Sequence, residues 1–185
     1  MNPDCLPPSI ETADIDWQEG EPRCRRFGDI YFSKHNGLEE ARYVFMEGNA
    51  LAQRFAGVPA AGHFVVAEAG FGTALNFLAC WQLWTTVNNE PQASLHYLSV
   101  ERYPLKRRDL ARALALWPEL DSLARELLDQ YPPLTRGAHR LVLDGGRVRL
   151  TLYFGDIGAA WEQLDFTADA WFLDGFAPAR NPAIW

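Results

Sequence analysis

Two patterns of apolar positions alternate along the chain. Short aliphatic or β-branched runs at His63-Phe-Val-Val-Ala67, Leu95-His-Tyr-Leu-Ser-Val100, Val148 to Phe154 and Asp169-Ala-Trp-Phe-Leu173 have the length and make-up of buried strands. Longer stretches with helical spacing lie among them: Asn36 to Gly48, Asn49 to Phe55, Thr73 to Val87, Pro104 to Trp117, Pro118 to Tyr131 and Ala159 to Leu164. Pro104 and Pro118 suit first helical turns, and Asn88-Asn-Glu-Pro91 ends the third of these helices. That third helix is apolar on nearly every face, so it is expected to be sandwiched against the sheet. Leu141-Val-Leu143 adds a strand before a turn at Asp144-Gly-Gly146. Upstream, the alternation of Ile15 and Trp17, a turn at Glu19-Gly-Glu-Pro22 and the run Asp29-Ile-Tyr-Phe32 predict a hairpin or short strands. Three prolines within residues 1–9 predict a poorly ordered arm.

Strands alternating with helices imply an α/β fold, a parallel sheet flanked by helices, with ligands beyond the carboxyl ends of the strands. The expected division is an arm and hairpin over residues 1–35 and the α/β domain over 36–185. The chemistry concentrates at Val65-Val-Ala-Glu-Ala-Gly-Phe-Gly-Thr-Ala-Leu-Asn76, a strand, a glycine turn and a helix. Gly70 and Gly72 permit positive φ and a close approach of ligand to bare backbone, and the first-turn N–H groups of the helix face the turn. The third glycine of a dinucleotide fingerprint is replaced by Leu75. Glu68 would repel a phosphate but pair with a cationic amino-acid moiety, which places S-adenosylmethionine ahead of NAD.

Four acids, Glu68, Glu101, Asp156 and Asp174, fall at predicted strand ends. One such acid is commonly a helix cap or a solvated turn residue. Four at one edge repel one another unless a ligand supplies polar hydrogens. The natural division gives Glu68 the ammonium, Glu101 the two ribose hydroxyls, Asp156 the adenine amino group and Asp174 the reaction site.

Composition narrows the setting. The chain has 185 residues, 48% of them hydrophobic and 13% aromatic, enough for one sizeable core. A net charge of −7 and a pI near 5.1 argue against binding nucleic acid through bulk charge, though not against a local basic patch. Two candidate patches are Arg102, Lys106, Arg107, Arg108 and Arg112, and then Arg136, His139, Arg140, Arg147 and Arg149. Cys5, Cys24 and Cys80 have no metal spacing, and Cys80 reads as a buried free thiol. With no signal-like start and no unbroken apolar span, the expectation is a protein of the reducing cytoplasm.

Three longer motifs go further. Asn36-Gly-Leu-Glu-Glu-Ala-Arg-Tyr-Val-Phe, Glu68-Ala-Gly-Phe-Gly-Thr-Ala-Leu-Asn-Phe and Trp171-Phe-Leu-Asp-Gly-Phe-Ala-Pro-Ala-Arg-Asn-Pro, in that order, resemble the methyltransferase part of the bifunctional tRNA wobble-uridine modifying family MnmC. The resemblance runs from about Phe27 to the last residue. It implies a Rossmann-like class I methyltransferase that moves a methyl group from S-adenosylmethionine to the amine of 5-aminomethyl-2-thiouridine in tRNA. It also implies a separate FAD-dependent oxidase domain that makes that amine. By the same resemblance, Asp174 orients the amine beside the cofactor and can accept its proton, together with the carbonyls of residues 175–178, while Phe176 walls the base. Gly70, Gly72, Asn76, Tyr31 and Asn36 fall on cofactor-binding positions, and Phe32 and Glu39 belong to the same upstream motif.

Asn181-Pro182 has the form of a helix start with only three residues after it, so the resemblance leads to the expectation of a fragment. The further strands of the family fold and the oxidase domain are then absent, and Ala170 to Leu173 becomes an unprotected apolar edge. Two rival readings remain at this stage: an NAD-dependent oxidoreductase, which shares the strand-turn-helix and Glu101, and an inactive methyltransferase fragment.

Overall fold

The computed structural model describes residues 10–33, 35–176 and 179–181. The expected N-terminal arm, the carbonyls of residues 177 and 178, and the helix start at 182–185 lie outside the described residues.

Two sheets form. The small one is an antiparallel meander of β1 (Ile15–Gln18), β2 (Glu21–Cys24) and β3 (Asp29–Ile30), which delivers the hairpin expected there. The large one has five strands: β4 (His63–Ala69), β5 (Ser94–Glu101), β6 (Gly137–Leu143), β7 (Val148–Phe154) and β8 (Ala170–Leu173), in the order β6-β7-β5-β4-β8. β4, β5, β7 and β8 run parallel, as the alternation with helices requires. β6 does not. It pairs antiparallel with β7, so the sheet is mixed and the expectation of a wholly parallel one is corrected. The reason is local: only residues 144–147 separate β6 from β7, whereas a parallel crossover needs a dozen or more. The class is α/β.

The helices are α1 (Gly37–Ala41), continued as a π-helix over Arg42–Glu47, then α2 (Leu51–Ala56), α3 (Leu75–Val87), α4 (Arg107–Leu114), α5 (Asp121–Gln130) and α6 (Ile157–Gln163). The expected helix from Pro104 starts only at Arg107: Lys106 is extended, at φ −65° and ψ 144°, and the Pro104 carbonyl accepts from Ala13 N–H. The one expected from Pro118 begins as a 3-10 turn before α5.

α3 carries the core. Phe77, Leu78, Cys80, Trp81 and Trp84 are fully buried, and Phe77 meets Tyr97 of β5 edge-on at 5.0 Å. Burying each such side chain contributes about 1.5–3 kcal/mol, so α3 is the element least free to move. β8 forms the opposite edge of the sheet. Its inward residues Ala170 and Phe172 are buried, while Trp171 and Leu173 are exposed, with Trp171 partly covered by Trp161 and Phe166. Among the described residues, no helix is long and apolar enough to cross a membrane.

Candidate active site

The carboxyl ends of β4, β5 and β8 open onto a cavity of about 470 Å³, within the usual range for small-molecule sites. Its floor is the glycine turn. Gly70, at φ +98°, turns the chain off β4 while its N–H donates to Val100 O at 3.0 Å, and Gly72 follows at φ +50°. Ala74, also at positive φ, precedes α3 and offers no capping side chain, so the first N–H groups of α3 remain available beside the cavity. A Cβ on Gly72 would stand 3.4 Å from the Tyr31 ring, which packs over the turn from the small sheet.

Glu101, the last residue of β5, is fixed by backbone. Its Oε2 accepts from Gly72 N–H at 2.9 Å and its Oε1 from Tyr103 N–H at 2.7 Å. Burial raises its pKa, and these two donors oppose the rise. Both oxygens are thereby held in place while each keeps a second lone pair, an arrangement suited to accepting from two adjacent hydroxyls.

Asp174 follows β8 at the other wall. Asn76, in the first turn of α3, donates to its Oδ2 at 2.6 Å. The carboxyl is reached from the cavity, yet enough protein surrounds it to push its pKa upward; the Asn76 bond pulls the other way, and Glu40 across the cavity adds to the rise. Phe176 lines the same side and packs on Tyr31 at 5.1 Å and Phe27 at 5.2 Å, so the loop after β8 and the small sheet close on each other through aromatic contacts. Arg180 reinforces this closure by donating to the carbonyls of Phe27 and Gly28.

Not all four acids line the cavity. Glu68 is 1% exposed and lies one residue inside the end of β4, where it accepts from Ser99 Oγ at 2.7 Å and from Asn76 Nδ2 at 3.1 Å. It does not line the cavity, and burial pushes its pKa up to about 8. Asp156 lies off the cavity wall too: it caps α6, accepting from the N–H groups of Gly158 and Ala159, and ion-pairs with Arg102 at 3.6 Å. Of the remaining expected site residues, Tyr31, Phe32, Gly70, Gly72, Asn76 and Phe176 line the cavity, whereas Asn36 and Glu39 do not.

Tyr103, Phe27, Glu40 and Arg102 join the wall without having been expected there. For Tyr103 a signal existed, since it follows a strand-end acid by two residues. Glu40 lies in the first turn of α1, where an acid is favourable whether or not it meets a ligand. The basic groups are largely engaged: Arg107 with Leu128 O and Asp129, Arg112 over the Trp17 ring at 4.0 Å, Arg147 with Asp144 and Asn88 O, and Arg149 with His96.

Comparison with known proteins fits this geometry. A family model described as S-adenosyl-L-methionine-dependent methyltransferase matches residues 118–185. The tRNA 5-methylaminomethyl-2-thiouridine biosynthesis bifunctional protein MnmC of Marinobacter nauticus is 57% identical over 187 residues, covering 100% of this chain and 30% of the relative. Its counterpart in Chromobacterium violaceum is 53% identical over 173 residues, covering 94% of this chain and 26% of that protein. The chain therefore spans less than a third of the length of these curated relatives. The crystal structure of MNMC2 from Aquifex aeolicus superposes with a TM-score of 0.71 at 21% identity, over 96% of this chain and 54% of that one, a likeness of fold. With relatives more than half identical over 94–100% of its length and a methyltransferase model over residues 118–185, the chain matches the methyltransferase portion of the MnmC proteins.

Proposed function

We propose that the cavity binds S-adenosylmethionine and that the protein carrying this chain transfers its methyl group to the 5-aminomethyl group of 2-thiouridine at the tRNA wobble position. The observation that carries the reading is the rigid Glu101 carboxylate beside the glycine turn, facing Asp174 across one cavity. The residues present fit the cofactor. Glu101 would receive the ribose hydroxyls, and the turn at Gly70 and Gly72 with the open start of α3 would receive the amino-acid end. Cytoplasmic location and the division into an arm to residue 35 and a catalytic domain from residue 36 belong to the same proposal. The FAD-dependent step that the resemblance implies is not assigned to any residue here.

When bound, the sulfonium supplies an already electrophilic methyl group, so the protein's work is alignment and proton management. An amine attacks only through an unprotonated nitrogen. Asp174, positioned by Asn76 and with its pKa raised, is suited to hold the amine hydrogens and to take up the proton released on methylation. Phe176, backed by Phe27 and Tyr31, offers an aromatic face for the base.

Calorimetry of the chain with S-adenosylhomocysteine and with NADH tests the cofactor. Saturable binding of the first alone is expected, and a folded protein that binds neither overturns the reading. Methyl transfer to tRNA bearing the aminomethyl nucleoside is expected to fall at least roughly a hundredfold in Asp174→Ala, the usual scale for a misplaced reacting group.

A further inference from the structure

Glu68 takes no part in the methyl-transfer chemistry, yet it is the most deeply buried carboxyl group near the cavity. It occupies the core face of β4 behind the wall, at 1% exposure, in a position that an apolar residue would fill at lower cost in desolvation. Two side chains converge on it. Ser99, its register partner on β5, donates to Oε2, and Asn76 donates to Oε1. The same Asn76 nitrogen donates its second hydrogen to Asp174 Oδ2 at 2.6 Å. An Asn side-chain amide has only two hydrogens, so both are committed, and its plane is set by two carboxyl groups, one on β4 and one just past β8.

We propose that Glu68 is a positioning residue: anchored by Ser99 and acting through Asn76, it fixes the orientation in which Asp174 meets the substrate amine. This inference rests on the methyltransferase reading and extends it to a residue that touches neither cofactor nor substrate. The amide transmits orientation and not a proton, since it would have to lose a nitrogen-bound hydrogen to relay one.

Protonation of Glu68 completes the arrangement. Two ionised carboxylates on one amide repel in a buried setting, and only Glu68 is wholly withdrawn from water. The groups facing it are Asp174 from the end of β8, Tyr97 from β5 and Cys80 from α3, with Glu40 acting on Asp174 from α1. None is cationic. The Tyr97 hydroxyl, buried beside Glu68, acts on it as a hydrogen-bond donor and with Ser99 and Asn76 opposes the rise in pKa that burial imposes.

The test compares the wild type with Glu68→Ala and Glu68→Gln by methyl-transfer kinetics at pH 7. Glu68→Ala is expected to lower kcat roughly tenfold or more, the scale of a loosened reacting group, with KM for S-adenosylmethionine changed less than about twofold. Glu68→Gln is expected to recover most of kcat, because its amide oxygen accepts from Asn76 while its nitrogen donates to a hydroxyl of Ser99 or Tyr97. A proportional rise in KM for the cofactor would instead mark Glu68 as an ammonium ligand and overturn the inference. So would a Gln variant as poor as the Ala variant. If the wild type binds S-adenosylhomocysteine but methylates nothing, the functional reading fails by itself. The inference is then read from hydrogen exchange of the Asn76 side-chain amide with solvent, expected to be slow in wild type and Glu68→Gln and clearly faster in Glu68→Ala. Equal exchange rates in all three would reject it.

Discussion

Glu68 and Glu101 stand on neighbouring strands, face the same side of the sheet and both have pKa values raised by burial, yet they belong to different regions of the molecule. Register separates them. Glu68 lies opposite Ser99, and Glu101 is two residues farther along β5, about 7 Å nearer the open edge at the usual strand rise. That step exchanges side-chain donors for backbone donors. Around Glu68 the partners are Ser99 and Asn76, which themselves need fixing; around Glu101 they are the N–H groups of Gly72 and Tyr103, which the turn fixes already. The inner acid is suited to stay neutral and hold other groups, the outer one to meet a ligand.

The largest expected effect lies at the inner acid and concerns stability. A carboxyl held near pKa 8 in the folded chain, against an ordinary 4.5, binds its proton more tightly folded than unfolded. Its contribution is therefore fully present below about pH 4.5 and is lost as pH rises towards 8, at up to about 1.4 kcal/mol per pH unit, or on the order of 5 kcal/mol across the window. Glu101 and Asp174 shift stability in the same direction, so the wild type alone does not isolate Glu68. The difference between wild type and Glu68→Gln does, since the other two acids cancel. Denaturant unfolding at a series of pH values is expected to show the Gln variant gaining on the wild type steadily from pH 5 to pH 8. A difference independent of pH would mean that Glu68 is ionised in the native state.

At the outer acid the expected effect is on binding. Glu101→Ala removes the acceptor for two backbone N–H groups and, on the proposed function, for the ribose, and hydrogen bonds to a charged group contribute about 1.5–3 kcal/mol each. Affinity for S-adenosylhomocysteine is expected to fall roughly a hundredfold by calorimetry. Glu68→Ala is expected to leave that affinity within about threefold, corresponding to less than 1 kcal/mol. Equal losses in both variants would dissolve the distinction between the two regions.

Much of this architecture was legible in the sequence, for identifiable reasons. β7 occupies the expected residues 148–154, because apolar positions bounded by glycine turns leave no other register. β4 and α3 were placed to within two residues by the glycines between them. The direction of β6 was missed although the four-residue connection to β7 carried it. What the sequence does not contain is which strand-end acid protrudes, because that depends on how far β5 outruns β4, a property of pairing and not of either strand. Glu68 and Asp156 were thus grouped with Glu101 and Asp174 by residue type and spacing, which do not distinguish a wall from what stands behind it.

Asp156 supplies the smallest effect and the sharpest control. It lies just past the end of β7, and its carboxylate accepts from Gly158 and Ala159 at the start of α6 and pairs with Arg102 where both side chains are about half exposed. Losing such a cap costs about 1 kcal/mol, and an exposed ion pair adds at most a few tenths more. Asp156→Ala is therefore expected to lower the melting temperature by only a few degrees, since about 1 kcal/mol corresponds to about 2–4 °C in a chain of this size. Its S-adenosylhomocysteine affinity is expected to match the wild type. Asp156→Asn, which retains a capping oxygen but not the charge, is expected to recover most of the stability. A loss of affinity in Asp156→Ala comparable to that in Glu101→Ala would place Asp156 on the ligand after all, and the cavity wall would then have to extend past Arg102 to the end of β7.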